Sequence, residues 1–137
     1  MKYPEQVLCR RLAADPAVAR HIGFKMYPLV VPYSSDLPYA VYQRNSVNRE
    51  SVLGVTPPGV AMVSTSLMIL ADSYAIVREI ADACRKDLDH INVSSQGIKI
   101  HHVRIADESE TIIQLEGGDL PPAWQVTFNL DIQWSEE

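Results

Sequence analysis

Four histidines are the side chains best suited to chemistry near neutral pH, and their spacing argues against a shared site. His101 and His102 are adjacent in a stretch with strand composition. Neighbouring strand residues point to opposite faces of a sheet, so one metal ion would not reach both. His21 and His90 fall near the predicted ends of helices, where a protonated imidazole interacts favourably with the helix dipole. We therefore predict structural histidines, no metal site and no cofactor.

The carboxylates and hydroxyls also lack the arrangement that catalysis needs. The sequence contains no G-x-S-x-G elbow, no G-x-G-x-x-G motif and no Walker loop. Asp82, Asp87 and Asp89 are predicted on the solvated side of a helix, and residues 107–110 are predicted to form an acidic turn between two strands. Acid–base catalysis by paired carboxyls needs a cleft and unequal environments, which this pattern does not indicate. The sequence predicts no catalytic residues and a protein that is not an enzyme.

Composition places the chain among folded, acidic, single-domain proteins. Its 137 residues are 47% hydrophobic and 21% charged, which predicts one domain over residues 1–137. The 12 Lys and Arg residues against 17 Asp and Glu residues give a net charge of −5 without a basic cluster, which argues against sequence-specific nucleic-acid binding. The sequence shows no apolar stretch long enough for a bilayer and no signal peptide, so we expect no membrane association. Cys9 and Cys84 fall on apolar helix faces, as buried thiols do.

Hydrophobic periodicity and turn signals divide the chain into helices and strands. Two short helices are predicted at the N-terminus, one over residues 4–14 and one that begins at Pro16 with Asp15 as its cap. The other predicted elements are an extended connection at 24–37, a long hairpin with strands at 38–47 and 60–71, a helix at about 73–89, and strands at 97–105, 111–116 and 124–134. This order predicts the α+β class: an antiparallel-rich sheet with a long hairpin, and with one main amphipathic helix and the short N-terminal helices on one face.

The main helix and the last strand have the clearest patterns. Five apolar residues of the helix recur at i, i+3, i+4, i+7 and i+11 and form one stripe: Val77, Ile80, Ala81, Cys84 and Leu88. In the last strand, apolar residues alternate with polar ones in strict period two: Trp124, Val126, Phe128, Leu130, Ile132 and Trp134. The two patterns predict that these faces pack against each other.

The connection between the two hairpin strands has an unusual composition. Val52, Leu53 and Val55 are apolar, although connections run over the surface and are usually polar. Arg49 and Glu50 beside them supply charges for a neighbouring chain. We predict that these five residues form a subunit or partner interface. The alternative that stays open is packing of the three apolar side chains within the hairpin.

Several local strings, taken in order, resemble the tail completion and tail terminator proteins of long-tailed bacteriophages and prophages. The strings are Met26-Tyr27-Pro28, the strand opening Leu37-Pro38-Tyr39-Ala40-Val41-Tyr42-Gln43, the strand end Leu67-Met68-Ile69, and the helix start Asp72-Ser73-Tyr74-Ala75 with Ile80-Ala81 in the same helix. The resemblance covers nearly the whole chain, from a short helical pair at the N-terminus to a strand-rich C-terminus. None of these strings is itself a catalytic motif.

The resemblance implies a mechanical function at the head–tail joint. It implies an α+β protein that forms a homo-oligomeric ring, generally a hexamer, which caps the tail tube and joins the tail to the head. The implied partners are other copies of the chain, the tail tube protein and the head–tail connector protein. The implied location is the virion, in the tail or neck, with the host cytoplasm as the place of assembly.

Two other functions are compatible with the composition. The first is a small α+β ligand-binding or regulatory domain that stays monomeric or dimeric. The second is a hydrolase that would use His101 or His102 with a nearby carboxylate. The mass in solution separates a ring from a ligand-binding module, because only the ring forms a large assembly.

Overall fold

The computed structural model describes residues 4–23, 25–28, 37–49, 61–89, 91–95, 97–113 and 123–136. In these segments three helices accompany six strands. The helices are α1 (Pro4–Ala13), α2 (Pro16–His21) and α3 (Tyr74–Leu88); the strands are β1 (Met26–Pro28), β2 (Tyr39–Arg49), β3 (Ala61–Ala71), β4 (Val93–Ser95), β5 (Ile98–Ile113) and β6 (Ala123–Glu136). The fold is α+β, as the sequence predicts.

The six strands form one mixed sheet in the order β1-β2-β3-β6-β5-β4. Only β1 and β2 run parallel, and the other neighbouring pairs are antiparallel. The predicted long hairpin is confirmed, because β2 pairs with β3 from Tyr39 opposite Leu70 to Arg49 opposite Ala61. A bulge between Arg44 and Ser46 shifts its register by one residue.

The N-terminal helices follow the capping residues that the sequence offers. The Asp15 carboxylate accepts a hydrogen bond of 2.8 Å from the Ala17 backbone N–H and caps α2, whose first residue is Pro16. Gly23 follows this helix with a φ of 63°, a left-handed conformation that glycine adopts without a Cβ penalty. α1 buries its predicted face, which consists of Val7, Leu8 and Leu12.

The core lies between the helices and one face of the sheet. The predicted stripe of α3 is buried, and β6 buries the side that alternation predicts, with Phe128 and Ile132 at 0% exposure. β3 adds Val63, Leu67 and Ile69 to the same cluster. On the other face of the sheet a small apolar group, Val41, Leu70 and Ala123, is buried near one end of β2 and β3.

Three strands differ from the sequence prediction: β1 and β4 are not predicted, and β5 is predicted as two strands. The connection at 24–37 contains β1, and β4 lies before the predicted strand at 97; strands of three residues are too short to show a period of two. The predicted strand at 97–105 and the described part of the predicted strand at 111–116 belong to one strand, β5, and the predicted acidic turn at 107–110 is part of it. Asp107 pairs with Asn129 and Glu110 with Val126, so the β5–β6 ladder continues through the acidic residues.

Candidate functional site

The hairpin connection that is predicted to form an interface falls mostly outside the described residues. Arg49 is the last residue of β2, opposite Ala61. Glu50, Val52, Leu53 and Val55 are outside the described segments.

A bulge in β5 overturns the sequence argument about the paired histidines. The register of β5 against β6 shifts between Ile100 and His102, so the simple alternation of faces fails at His101. His101 Nε2 lies 2.8 Å from Ser135 Oγ, and His102 is opposite Gln133. Among the described residues no group of three or more His, Cys, Asp or Glu side chains could hold a metal ion.

The two cysteines lie in protected positions on helices. Cys84 is fully buried in the core, and Cys9 is partly buried on α1. Burial, together with the Glu5 charge, raises the pKa of the Cys9 thiol to about 12, and burial also raises the pKa of Cys84. Nucleophilic chemistry needs a thiolate, so neither thiol is activated.

A buried ion pair joins α1 to the sheet. Glu5 is 6% exposed, and its two carboxylate oxygens accept hydrogen bonds from Arg44 Nε at 2.8 Å and Arg44 Nη2 at 3.0 Å. This bidentate geometry is the strong form of a carboxylate–guanidinium contact. Nothing in the local sequence distinguishes Glu5 from an exposed first-turn acid, because its partner is 39 residues away.

Two carboxyls meet where α2 begins and α3 ends, which corrects the prediction that Asp87 is solvated. Asp87 Oδ2 is buried. Burial and the hydrogen bond with Asp15 raise the pKa of Asp87 to about 6, and the same hydrogen bond is the main cause that lowers the pKa of Asp15. One proton shared between the two carboxyls accounts for the raised pKa of Asp87 and the lowered pKa of Asp15.

An acidic and aromatic surface, called here the edge patch, lies where α3 begins beside the far half of β5. It consists of Tyr74, Glu108, Glu110, Ile112 and Trp124. The Tyr74 hydroxyl lies 3.2 Å from a Glu110 oxygen, and its ring meets Trp124 edge-on with centroids 5.2 Å apart. Tyr74 is 45% exposed and Ile112 is 50% exposed, so the patch presents large apolar side chains to solvent.

The charges beside the edge patch do not balance. Arg78 lies 2.9 Å from Asp82, 3.2 Å from Glu108 and 2.9 Å from Glu110. Three carboxylates thus share one guanidinium, which leaves two negative charges uncompensated in this cluster. Exposed apolar side chains with a charged rim are typical of a protein-binding surface.

A groove, called here the α1 groove, lies between α1 and β1. Its volume is about 380 Å³, and its described lining is Cys9, Arg10, Ala13, Ala14 and Met26. This lining is mainly apolar and carries one guanidinium and no carboxylate. Nothing in the sequence predicts this groove, because it depends on β1, a strand of three residues that is too short to show a period.

The sheet face opposite the helices carries a row of hydrogen-bonded side chains across four strands. Asn45 Nδ2 donates to Ser66 Oγ at 2.8 Å, and Ser66 Oγ donates to Asn129 Oδ1 at 2.9 Å. Asn129 Nδ2 then donates to Asp107 Oδ1 at 2.6 Å. We call these four residues the polar row. It joins β2, β3, β6 and β5 on the face that the described helices leave open.

The described surface points to contacts with other proteins. One face of the sheet is covered by helices, and one edge exposes apolar and charged side chains together, which is typical of a protein-binding surface. No helix in the described part of the chain is long and apolar enough to cross a membrane.

Comparison with known proteins identifies the family. The family model described as Tail completion protein gp17 matches residues 6–115, and the chain belongs to this family. A chain from the solved structure of the virion of a native gene transfer agent particle has the same fold, with a TM-score of 0.68 and 17% sequence identity over 93% of this chain and 91% of that chain. No curated protein matches the sequence. The protein is therefore a structural phage tail protein and not an enzyme, which confirms the family predicted from the sequence.

Proposed function

We propose that the chain, as a single domain of residues 1–137, forms a homo-oligomeric ring that caps the tail tube and joins it to the head–tail connector protein. The observation that carries this proposal is the open edge of β5. β4 pairs only with Ile98–Ile100, so within the described segments no strand pairs with the outer edge of β5 from Val103 to Ile113. An open edge presents backbone N–H and C=O groups that another chain can bind.

The two edges of the sheet differ, and this difference favours a ring over a two-fold dimer. One edge is the long acidic strand β5 with the short β4, and the other is the three-residue strand β1. A contact between two unlike surfaces of identical subunits repeats from one copy to the next and closes as a ring when the rotation fits. A ring that is coaxial with a tail tube can stop the tube's growth over its whole circumference.

The charge of the chain suits a conduit for DNA. The net charge of −5 supplies few cations for the phosphate backbone, and affinity for DNA comes mainly from such cations. DNA can then pass without a lasting contact, and no sequence-specific binding is expected. The similar chain belongs to a virion, which supports a virion location for this protein. The proposal puts it at the tail or neck, after assembly in the host cytoplasm.

The hairpin connection remains the predicted contact with a neighbouring subunit or the tail tube. If Val52, Leu53 and Val55 are buried in that contact, the double substitution Leu53→Asp and Val55→Asp places unpaired charge in it and abolishes binding. The isolated subunit keeps its melting temperature, because an exposed connection tolerates charge. A double variant that unfolds would instead support packing within the hairpin.

The experiment for the proposed function measures mass and tail length together. Light scattering of the purified protein is expected to give the mass of a ring. After addition to isolated tails, the increase in mass per tail is expected to equal that of a ring. Particles that lack the protein are expected to have tails of irregular length without attached heads, seen by electron microscopy. The proposal would be contradicted if the protein bound to complete tails as a monomer. It would also be contradicted if particles without the protein had tails of normal length that were joined to heads.

A further inference from the structure

We propose that the edge patch of one copy docks into the α1 groove of the next copy, and that this contact builds the ring. The inference rests on the proposed function, because it assigns two surfaces to the contact between subunits. Both surfaces are described above: the edge patch around Tyr74 and Glu110, and the α1 groove around Arg10 and Met26.

The two surfaces lie in one transverse row of the sheet. Met26 is opposite Ala40, Ala40 opposite Ile69, Ile69 opposite Val126, and Val126 opposite Glu110. The row therefore runs from the β1 edge to the β5 edge. A second copy placed beside the first along this row has its Met26 next to the first copy's Glu110.

Both ends of the row are on the helix side of the sheet. Met26 packs against the main core cluster, and Glu110 contacts Tyr74 and Arg78 of α3. The edge patch and the α1 groove thus face each other at the same height in two adjacent copies. Docking needs no rotation about the row itself, and the rotation that closes the ring is about an axis perpendicular to the row.

The charges of the two surfaces are complementary. The cluster beside the edge patch has two uncompensated negative charges, with Arg78 as its one described cation. The α1 groove carries the exposed Arg10, and its described lining has no carboxylate. Opposite potentials on facing surfaces favour this pairing and disfavour the pairing of two edge patches. The occupant of the groove is therefore a second copy of the chain.

The apolar parts are complementary as well. Tyr74 and Ile112 are exposed in the edge patch, and the half-buried Trp124 supports the Tyr74 ring edge-on. Aromatic side chains in a pocket are the usual centres of protein interfaces. The groove offers Cys9, Ala13 and Ala14, whose small side chains leave room for a large one. Its volume of about 380 Å³ exceeds that of one aromatic side chain.

A charge-reversal experiment tests the contact. Arg10→Glu places a carboxylate against the acidic cluster and is expected to weaken self-association by at least about tenfold, measured by sedimentation or light scattering. Glu110→Arg in the same chain restores opposite charges, and the double variant is expected to regain assembly. Lys86→Glu, an exposed reversal on α3, is the matched control. Unchanged assembly of Arg10→Glu, or a double variant that stays as weak as the single one, would overturn the assignment.

Chemical cross-linking in assembled particles supplies a measurement that does not need the free protein to associate. Ala14→Cys with Ile112→Cys, in a Cys9→Ser background, is expected to give a ladder of covalent oligomers with a short bismaleimide. Ala14→Cys with Met62→Cys is the control, because Met62 is 40% exposed but lies on the open face of the sheet. Melting curves show that each variant folds. If only the control pair gives a ladder of oligomers, this contact is wrong but the proposal of a ring stands. If the protein is monomeric in wild-type particles, the proposal of a ring is wrong.

Discussion

The two halves of β5 pair with β6 in the same ladder, but their helix-facing side chains differ in burial. In the first half the helix-facing residues Ile98, Ile100 and Val103 are at most 1% exposed. In the second half the same face carries Glu108 and Glu110 and, at 50% exposure, Ile112. The partner strand β6 remains apolar along both halves, because it lies in the middle of the sheet under α3.

The difference shows that position in the sheet decides the composition of a strand more than pairing does. A central strand must supply an apolar face to the helix layer along its whole length. An edge strand needs such a face only where a helix covers it. Beyond that point β5 keeps its ladder and uses its side chains for contacts with Arg78 and Tyr74, and with partner chains under our proposal.

The largest expected effect is at the centre of the covered face. Phe128→Ala removes a side chain with 0% exposure and should lower the free energy of unfolding by about 3–5 kcal/mol. Thr127→Ser, on the opposite face of the same strand, should change it by less than about 0.5 kcal/mol. Urea denaturation measures both. Similar midpoints for the two variants would contradict the register of β6.

The same substitution in the two halves of β5 tests the comparison directly. Ile100→Ala should cost about 2–5 kcal/mol, because Ile100 is 0% exposed. Ile112→Ala, on the same face and half exposed, should cost less than about 1 kcal/mol. Denaturant midpoints at equal m-values decide the matter, and equal costs would refute the contrast between the halves.

The Glu5–Arg44 ion pair should contribute more to the free energy of unfolding than the exposed ion pairs of Arg78 do. Arg44→Met leaves the Glu5 carboxylate buried without its partner and should cost about 2–4 kcal/mol, less than for a fully buried pair since Arg44 is 28% exposed. Glu5→Gln in the same chain should recover most of this loss. Arg78→Met, in the exposed cluster, should cost about 1 kcal/mol or less and nothing measurable in 1 M salt, where ionic strength screens exposed charges. Equal losses that persist in salt would show that the edge cluster is as buried as the first pair.

The smallest expected effect concerns the far end of α3. The folded protein holds a proton on Asp87 up to about pH 6, whereas an unfolded chain releases it near pH 4, so stability falls as the pH rises between these values. Asp87→Asn keeps a donor for Asp15 and removes this loss. Its melting temperature should exceed that of the wild type at pH 7.5, and the difference should shrink at pH 5. Asp72→Asn, the same substitution at an exposed residue, is the matched control.

The sequence predicts the helices and strands whose signals are local, which are capping residues and hydrophobic periodicity. α1, α2, α3, β2, β3 and β6 show capping residues or a clear period in the sequence, and the structure has them within a few residues of the predicted bounds. The sequence predicts β5 as two strands, because the charged residues in its middle resemble a turn. The residues that satisfy them, Arg78 and Tyr74, lie about 30 residues earlier in the chain and only the tertiary fold brings them close.

The candidate surfaces are harder to predict from the sequence, because they also combine residues that are far apart in the chain. The burial of Glu5 depends on Arg44, and the α1 groove depends on β1, a strand of three residues. The edge patch combines Tyr74 with Ile112 and Trp124, which are far apart in the chain. The interface at Arg49, Glu50, Val52, Leu53 and Val55 stays a prediction from composition.

The polar row has a mechanical consequence. Each donor in it points the same way, from Asn45 through Ser66 and Asn129 to the carboxylate of Asp107, and such a chain of dipoles strengthens each of its links. The row runs across the strands, so sliding one strand past its neighbour must break its links while it also breaks backbone bonds. Under our proposal the subunits lie at the end of the tail, where tension on the tail pulls on them. A sheet that is cross-linked in this direction resists shear on the side where no described helix supports it.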